Sequence, residues 1–252
     1  MKSYAKVNIF LKITGTRDNY HEIASRFVLI KNIFDTIEFV KKTNKNFTID
    51  GNFECDTEEN TIYKAYIELS KKFPTVKNFF QSHSVKVEKN IPTSAGLGGG
   101  SSNAATFLLM TNEHLNLELS EDELSKLGAK IGADVPFFIY GYSSANVRGI
   151  GEIVEKYDEL PIDIKLITTD IECNTAKVFQ TFRDDFFSIT PLDEIEQLFE
   201  IDSEQLLKTL KPIEANDLYE SAMFLCPSLK NIKSDELFLS GSGSTFFKVI
   251  EK

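Results

Sequence analysis

Cysteine and histidine are scarce in this 252-residue chain, three of each, and neither falls into a ligand pattern. Cys55, Cys173 and Cys226 lie far apart without a CxxC spacing. That spacing argues against a zinc knuckle or a disulfide framework and predicts buried or half-buried free thiols, as in cytosolic proteins. His21, His83 and His114 form no HExxH pair. Long apolar runs are missing too. The run in MKSYAKVNIFLKI is cut by Lys12 and has no small-residue cleavage site after it, and no segment approaches the roughly 18 apolar residues of a membrane span. The expectation is a soluble, cytoplasmic chain with no membrane partner. Basic charge is in deficit, with 28 Lys and Arg against 38 Asp and Glu, a formal net charge of -10. Nucleic-acid backbones are held by clustered Lys and Arg, so a nucleic-acid partner is not expected, and any anionic ligand must be met locally.

Periodicity predicts a mixture of strands and helices. In AKVNIFLKI, Val7, Ile9, Leu11 and Ile13 alternate with Lys6, Asn8, Phe10 and Lys12, the period of a strand with one core face. Lys6 and Asn8 then point together from the other face. EIASRFVLI, DTIEFVKK and NFTID read as further strands, and NTIYKAYIELSKKF as a helix capped by Asn60. SVKVEK is a short strand, SSNAATFLLMTNEHL a helix, and SEDELSKLGAKIG a helix with Ser120 as cap and Glu123 three residues on. ADVPFFIYG reads as a buried strand entered through Asp134, with Pro136 biasing Val135 to extended geometry. A strand at IKLITT, helices around 175–182, 191–199, 203–210 and 217–226, and two strands in ELFLSGSGSTFFKVI complete the chain. Hairpins mixed with strand–helix units imply an α+β fold in two lobes, with a soft boundary near residue 157.

The chemistry concentrates in IPTSAGLGGGSSNAA, where glycines at 96, 98, 99 and 100 precede a helix. Bare backbone N–H groups together with a helix N-terminus suit an anion such as a phosphate. The stretch is no Walker A loop, because Gly-Ser-Ser stands where Gly-Lys-Ser/Thr is needed. It is no dinucleotide fingerprint either, since GxGxxG fails at Ser101 and the loop follows about ninety residues of other structure. An ordinary strand-to-helix turn needs one or two glycines rather than four within five residues.

These residues resemble a known family. PTSAGLGGGSSNAA resembles the second motif of the GHMP kinases, AKVNIFLKI the first and SGSGSTFF the third, in the right order across almost the entire chain. AKVNIFLKITGTRDNYHEI, GLGGGSSNAA and GADVPFF are most similar to the branch that phosphorylates a cytidine-diphosphate-linked methylerythritol in non-mevalonate isoprenoid synthesis. The resemblance implies a ribosomal-protein-like N-terminal ATP-binding domain over 1–157 and a ferredoxin-like C-terminal domain over 158–252. It implies transfer of the ATP γ-phosphoryl group to the acceptor's 2-hydroxyl. Another small-alcohol GHMP kinase (homoserine or mevalonate type) and a nucleotide-binding sensor without turnover stay open as alternatives, disfavoured by NYHEI and by the presence of both Lys6 and Asp134.

By the same resemblance Asp134 is the catalytic aspartate, and Lys6 polarises the hydroxyl and orients Asp134. ATP is held by the backbone of Pro92, Thr93, Ser94, Ala95, Gly96, Leu97, Gly98, Gly99, Gly100, Ser101 and Ser102, with Asn60 and Lys89 on the adenine side. Asn8 holds the polyol. Tyr20 and Phe179 sandwich the pyrimidine and His21 reads its edge, with Thr175, Gly241 and Ser242 also on the acceptor side. Each has a plainer reading: a turn or cap aspartate, a solvated strand lysine, a turn aromatic, one core residue among 21 phenylalanines. Thr93, Ser94 and Ala95 stand where many relatives are richer in glycine, which implies a stiffer loop entry. Mg²⁺ is expected because the phosphates need neutralisation, carried chiefly by ATP with Ser102; no acidic ligand for it is assignable. The oligomeric state is open between monomer and weak dimer.

Overall fold

A computed structural model describes residues 1–250. In chain order the elements are β1 (Lys2–Arg17), β2 (Tyr20–Lys41), β3 (Ile49–Asp50), α1 (Thr61–Lys72), α2 (Pro74–Phe79), β4 (His83–Glu88), α3 (Gly99–His114), α4 (Glu121–Gly128) and α5 (Val135–Tyr140). There follow β5 (Ser144–Arg148), β6 (Ile153–Lys156), β7 (Ile164–Ile167), α6 (Thr175–Thr181), α7 (Leu192–Glu200), α8 (Ser203–Thr209), α9 (Pro212–Ala215), α10 (Tyr219–Leu225), β8 (Phe238–Leu239) and β9 (Phe246–Val249). The architecture is α+β. The chain forms two compact units, each drawn from several segments: Met1–Ala5, Lys31–Thr93 and Gly98–Gly141 make the first, and Lys6–Ile30, Ser94–Leu97 and Tyr142–Lys252 the second. A division at 157 falls inside the second unit.

In the first unit, β4 runs antiparallel to the second half of β2, Thr36 opposite Glu88 through Lys41 opposite His83, and β3 adds in parallel. Helices α1, α3, α4 and α5 pack on one another. Asn60 caps α1 by accepting from the Ile62 N–H, and Ser120 and Glu123 complete a reciprocal capping box on α4, so both sequence signals hold. In the second unit, β5 pairs antiparallel with the first half of β2 and with β6, while β9 lies between β7 and β8. Under the latter sheet, Val178, Phe182, Leu218, Ala222, Leu229, Leu239 and Phe246 form a buried cluster.

Four expectations change. The strand read in ADVPFFIYG is helix α5: all of Val135–Ile139 is buried, which hides any period, and Pro136 sits in the first helical turn, where its missing N–H costs nothing. The two strands read in residues 22–41 are one, β2, which changes partner along its length and so passes through exposed Lys31 and Asn32 without breaking. The polar face of β1 is not solvated. Lys6, Asn8 and Lys12 are all buried, and the Asn216–Asp217 segment covers the Lys12 end of the strand: the Leu11 carbonyl accepts from the Asp217 N–H, and Lys12 pairs with Asp217 at 2.9 Å. All three cysteines are free, but Cys55 is exposed. No helix among the described residues is long and apolar enough to cross a membrane.

Candidate active site

In the first unit the glycine stretch delivers the chain into α3. Gly98, at the N-cap, is left-handed (φ 69) and has no side chain to cap the helix, so the N–H groups of the first turn are offered rather than consumed. α1 begins beside it, since Thr61 Oγ1 donates to the Gly100 carbonyl at 2.7 Å. Asn60, one residue earlier, spends its side chain on the α1 cap. Lys89 is not a solvated strand end. Its ammonium pairs with Asp35, donates to Asn103 Oδ1 at 3.2 Å, and lies 3.6 Å from where a Cβ on Gly99 would sit. A cation paired with buried Asp35 therefore stands beside the positive end of α3, where both would favour an anion. Pro92 and Thr93 complete the loop's share in this unit.

Asp134 is half-buried at the start of α5 and makes no side-chain cap bond there, so the cap reading does not account for its carboxylate. The helix approach is tight: a Cβ on Gly128 would lie 2.6 Å from Val135 Cγ1, and one on Gly132 would lie 3.4 Å from Ser101 Oγ. The first turn of α3 thus abuts the segment that leads to Asp134. Ser102, given above as the magnesium hydroxyl, is 1% exposed and accepts from Ser3 Oγ at 2.7 Å. No group of three His, Cys, Asp or Glu side chains suited to a metal occurs among the described residues.

The second unit holds the loop's middle and the residues assigned to the acceptor. Ser94 adopts φ 51, a left-handed conformation that costs a non-glycine residue roughly 1–2 kcal/mol. Ala95, Gly96 and Leu97 are pinned on both sides: the Thr245 N–H donates to Ala95 at 3.1 Å, Ser240 Oγ to Gly96 at 2.9 Å and the Lys6 N–H to Leu97 at 3.0 Å. Lys6 Nζ donates to Asn8 Oδ1 at 2.5 Å and lies 4.6 Å from the centre of the Phe27 ring; Asn8 in turn donates to Ser25. A Cβ on Gly241 would lie 3.3 Å from Asn8 Oδ1 and 3.4 Å from the Gly96 carbonyl. Lys6, Asn8, Gly96 and the Gly241 turn therefore meet. Thr175 and Ser242 meet as well, their hydroxyls 2.8 Å apart. A cavity of about 410 Å³ opens beside them, lined by Ser94, Asn174, Lys177 and Cys226 among others.

His21 is buried with its ring stacked on Phe179 at 5.3 Å and edge-on to Phe182 at 5.7 Å. The ring on Phe179 is thus that of His21, while Tyr20 is 63% exposed. His21 Nε2 is buried without a protein partner. Burial, with a smaller contribution from Arg183, holds this imidazole below the ordinary histidine value of 6.5. Its neutral form is stable above 6.5 and is lost as pH falls through the lowered value. The KM for a ligand read by this ring should accordingly be flat above pH 6.5 and rise below it. His21→Phe should abolish that acid limb in a pH series of steady-state kinetics; an unchanged limb would assign it to another group.

Several residues escaped the sequence reading. Asn216 donates from Nδ2 to the Leu239 and Gly241 carbonyls at 3.0 and 2.8 Å and accepts from the Leu218 N–H, which fixes the Gly241 turn. The two bonds that hold the turn leave no local signal, because they reach backbone carbonyls 23 and 25 residues away. Arg183 lies in a π-helical turn, Phe182–Phe186, and donates to the Asn19 carbonyl at 2.8 Å. Such turns recur at functional sites, but pattern reading does not detect them.

Residues 60–142 match the family model for the GHMP kinase N-terminal domain. The chain is 50% identical to the 4-diphosphocytidyl-2-C-methyl-D-erythritol kinase of Sulfurimonas denitrificans, an alignment covering 100% of this chain and 97% of that one. It is 43% identical to the same-named kinase of Campylobacter jejuni, with 99% of each covered. Among solved structures it is similar to a 4-(cytidine 5'-diphospho)-2C-methyl-D-erythritol kinase (TM-score 0.74, 28% identity, 100% and 90% covered). The Methanococcus jannaschii mevalonate kinase (TM-score 0.62, 15% identity, 100% and 90% covered) shares the fold.

Proposed function

The chain belongs to the 4-diphosphocytidyl-2-C-methyl-D-erythritol kinases, a branch of the GHMP kinase family, and from that premise we propose that it carries the γ-phosphoryl group of ATP to the acceptor's 2-hydroxyl. It is an ATP-dependent small-molecule kinase. The observation that carries the donor half is the uncapped N-terminus of α3 with the Lys89 ammonium at Gly99. The phosphates lie on the backbone from Pro92 to Ser102, with Asn60 and Lys89 completing the nucleotide site. Phosphoryl transfer asks for positioning and charge stabilisation rather than covalent help. In this reading Lys6 polarises the acceptor hydroxyl and Asp134 accepts its proton. The acceptor oxygen forms its bond to the γ-phosphorus as the bond to the bridging oxygen breaks, and ADP leaves. Lys6 also bonds Asn8, which supports one polar patch for the polyol. Mg²⁺ held with ATP would supply neutralisation of the phosphate charge. The absence of an acidic cluster among the described residues and the engaged Ser102 hydroxyl support its arriving on ATP.

On the acceptor side, the stacked His21 and Phe179 rings, with a buried imidazole nitrogen lacking a protein partner, support a flat hydrogen-bonding ligand such as cytosine. Exposed Tyr20 would close over its other face. Thr175, Gly241 and Ser242 line the polyol side. Tyr20→Ala should raise the acceptor KM about five- to 100-fold through lost stacking while leaving the ATP KM unchanged; equal effects on both would remove Tyr20 from the acceptor. The test of the whole reading is an assay of ADP release with 4-diphosphocytidyl-2-C-methyl-D-erythritol, mevalonate, homoserine or no acceptor, the product located by phosphorus NMR. A 2-phosphate formed only from the first is the expected result. Transfer to another alcohol instead would move the chain to a different acceptor, and ATP binding without transfer would make it a sensor.

A further inference from the structure

We infer that Asp35 is a positioning residue for the nucleotide: one buried carboxylate ties both ends of the glycine loop and the Lys89 ammonium into a single arrangement. Asp35 lies in β2 and is 0% exposed. Burying a carboxylate is costly unless every lone pair is used. Here all are. Oδ1 accepts from the N–H groups of Asn90 and Ile91 at 2.7 and 2.9 Å, the two residues that lead into the loop. Oδ2 accepts from Lys89 Nζ and, at 2.8 Å, from Nδ2 of Asn103 in the first turns of α3, where the loop ends. Asn103 closes the network by accepting from Lys89 and donating to Ser3 at 2.9 Å, which donates to Ser102.

The two oxygens thus divide the work. One fixes the loop entry; the other fixes the loop exit and the cation at α3. A core that needed only cohesion would be served as well by apolar side chains of similar volume. What apolar packing does not supply is a charge held at a defined point beside Gly99. The inference rests on the reading that this loop holds the phosphates of ATP.

The test compares D35N, N103D and the double variant D35N/N103D by ATP titration, steady-state kinetics and thermal melting. In D35N the new amide keeps an oxygen for Asn90 and Ile91 but turns an NH2 group toward two other donors, Lys89 and Asn103. ATP affinity should fall about 10- to 30-fold, the scale of one hydrogen bond to a charged group, while the acceptor KM stays within about twofold. In the double variant the carboxylate introduced at 103 takes up Lys89 and accepts from the amide at 35, so ATP affinity should recover to within about threefold of wild type. A folded D35N with wild-type ATP affinity overturns the role, as does a double variant no better than D35N. If D35N does not fold, N103A decides, because it leaves Asp35 in place and removes the loop-exit tie. ATP binding weakened about three- to tenfold supports the inference, and unchanged binding overturns it. Wild-type protein that binds no ATP instead removes the nucleotide reading, and the role of Asp35 falls with it.

Discussion

Replacing Asp134 by Asn should lower turnover by about 10²- to 10⁴-fold while leaving ATP affinity near that of the wild type, the range expected when a positioned proton acceptor is lost. The substitution is nearly isosteric and keeps one oxygen, so what it removes is the capacity to take a proton. Asp134 makes no cap bond to α5, and the five residues that follow it, Val135 to Ile139, are anchored by burial. The close contact of Gly128 with Val135 fixes the start of the helix independently of the carboxylate. Nucleotide binding is assigned to the loop, Asn60 and Lys89, none of which changes. Nucleotide titration combined with single-turnover measurement separates binding from the chemical step. Turnover within tenfold of wild type would remove Asp134 from the role of base. Lost ATP binding would instead place its charge on the metal–nucleotide side.

The parts of the fold legible in the sequence are those whose cause is local. Asn60 and the Ser120–Glu123 pair announced two helix starts, because a cap acts within three residues of itself. The four glycines announced a loop offering bare backbone ahead of a helix, and Gly98 in a left-handed N-cap delivers it. The illegible parts have causes far along the chain. α5 reads as a strand because complete burial of Val135–Ile139 erases the period that distinguishes helix from strand, leaving only its β-branched and aromatic content to judge by. The burial of Lys12 is illegible because its partner, Asp217, comes more than two hundred residues later. Asp35 looked like one more polar position of a strand. Its four partners come from residues 89–91 and 103, and nothing near residue 35 anticipates them.

Gly96→Ala should be the most damaging single methyl group in the loop. Gly96 sits at φ 75, where an L-residue loses roughly 1–2 kcal/mol. A Cβ there would also overlap the Ser240 carbonyl oxygen and lie 3.1 Å from that of Gly243. Both obstacles are backbone, with no flexible side-chain end to move aside, and each side is already fastened. Ser240 Oγ donates to Gly96, and the neighbouring carbonyls of Ala95 and Leu97 accept from Thr245 and Lys6. Overpacking of this kind costs about 1–3 kcal/mol on top of the conformational term. The total of about 2–5 kcal/mol corresponds to a fall in Tm of roughly 4–20 °C for a chain of this size. Relief requires the Ser240–Gly243 turn to withdraw, which carries Gly241 away from Asn8, so kcat/KM should drop by about 10²-fold or more even below the melting transition. Gly141→Ala is the matched control. Gly141 has nearly the same φ, 62, but a Cβ there meets nothing within 4 Å. It should lose only the conformational term, about 1 kcal/mol, and keep full activity. Equal losses in the two variants, by melting and by kinetics, would show that left-handed geometry alone sets the cost and that the approach of the loop to the Ser240 turn does not matter to catalysis.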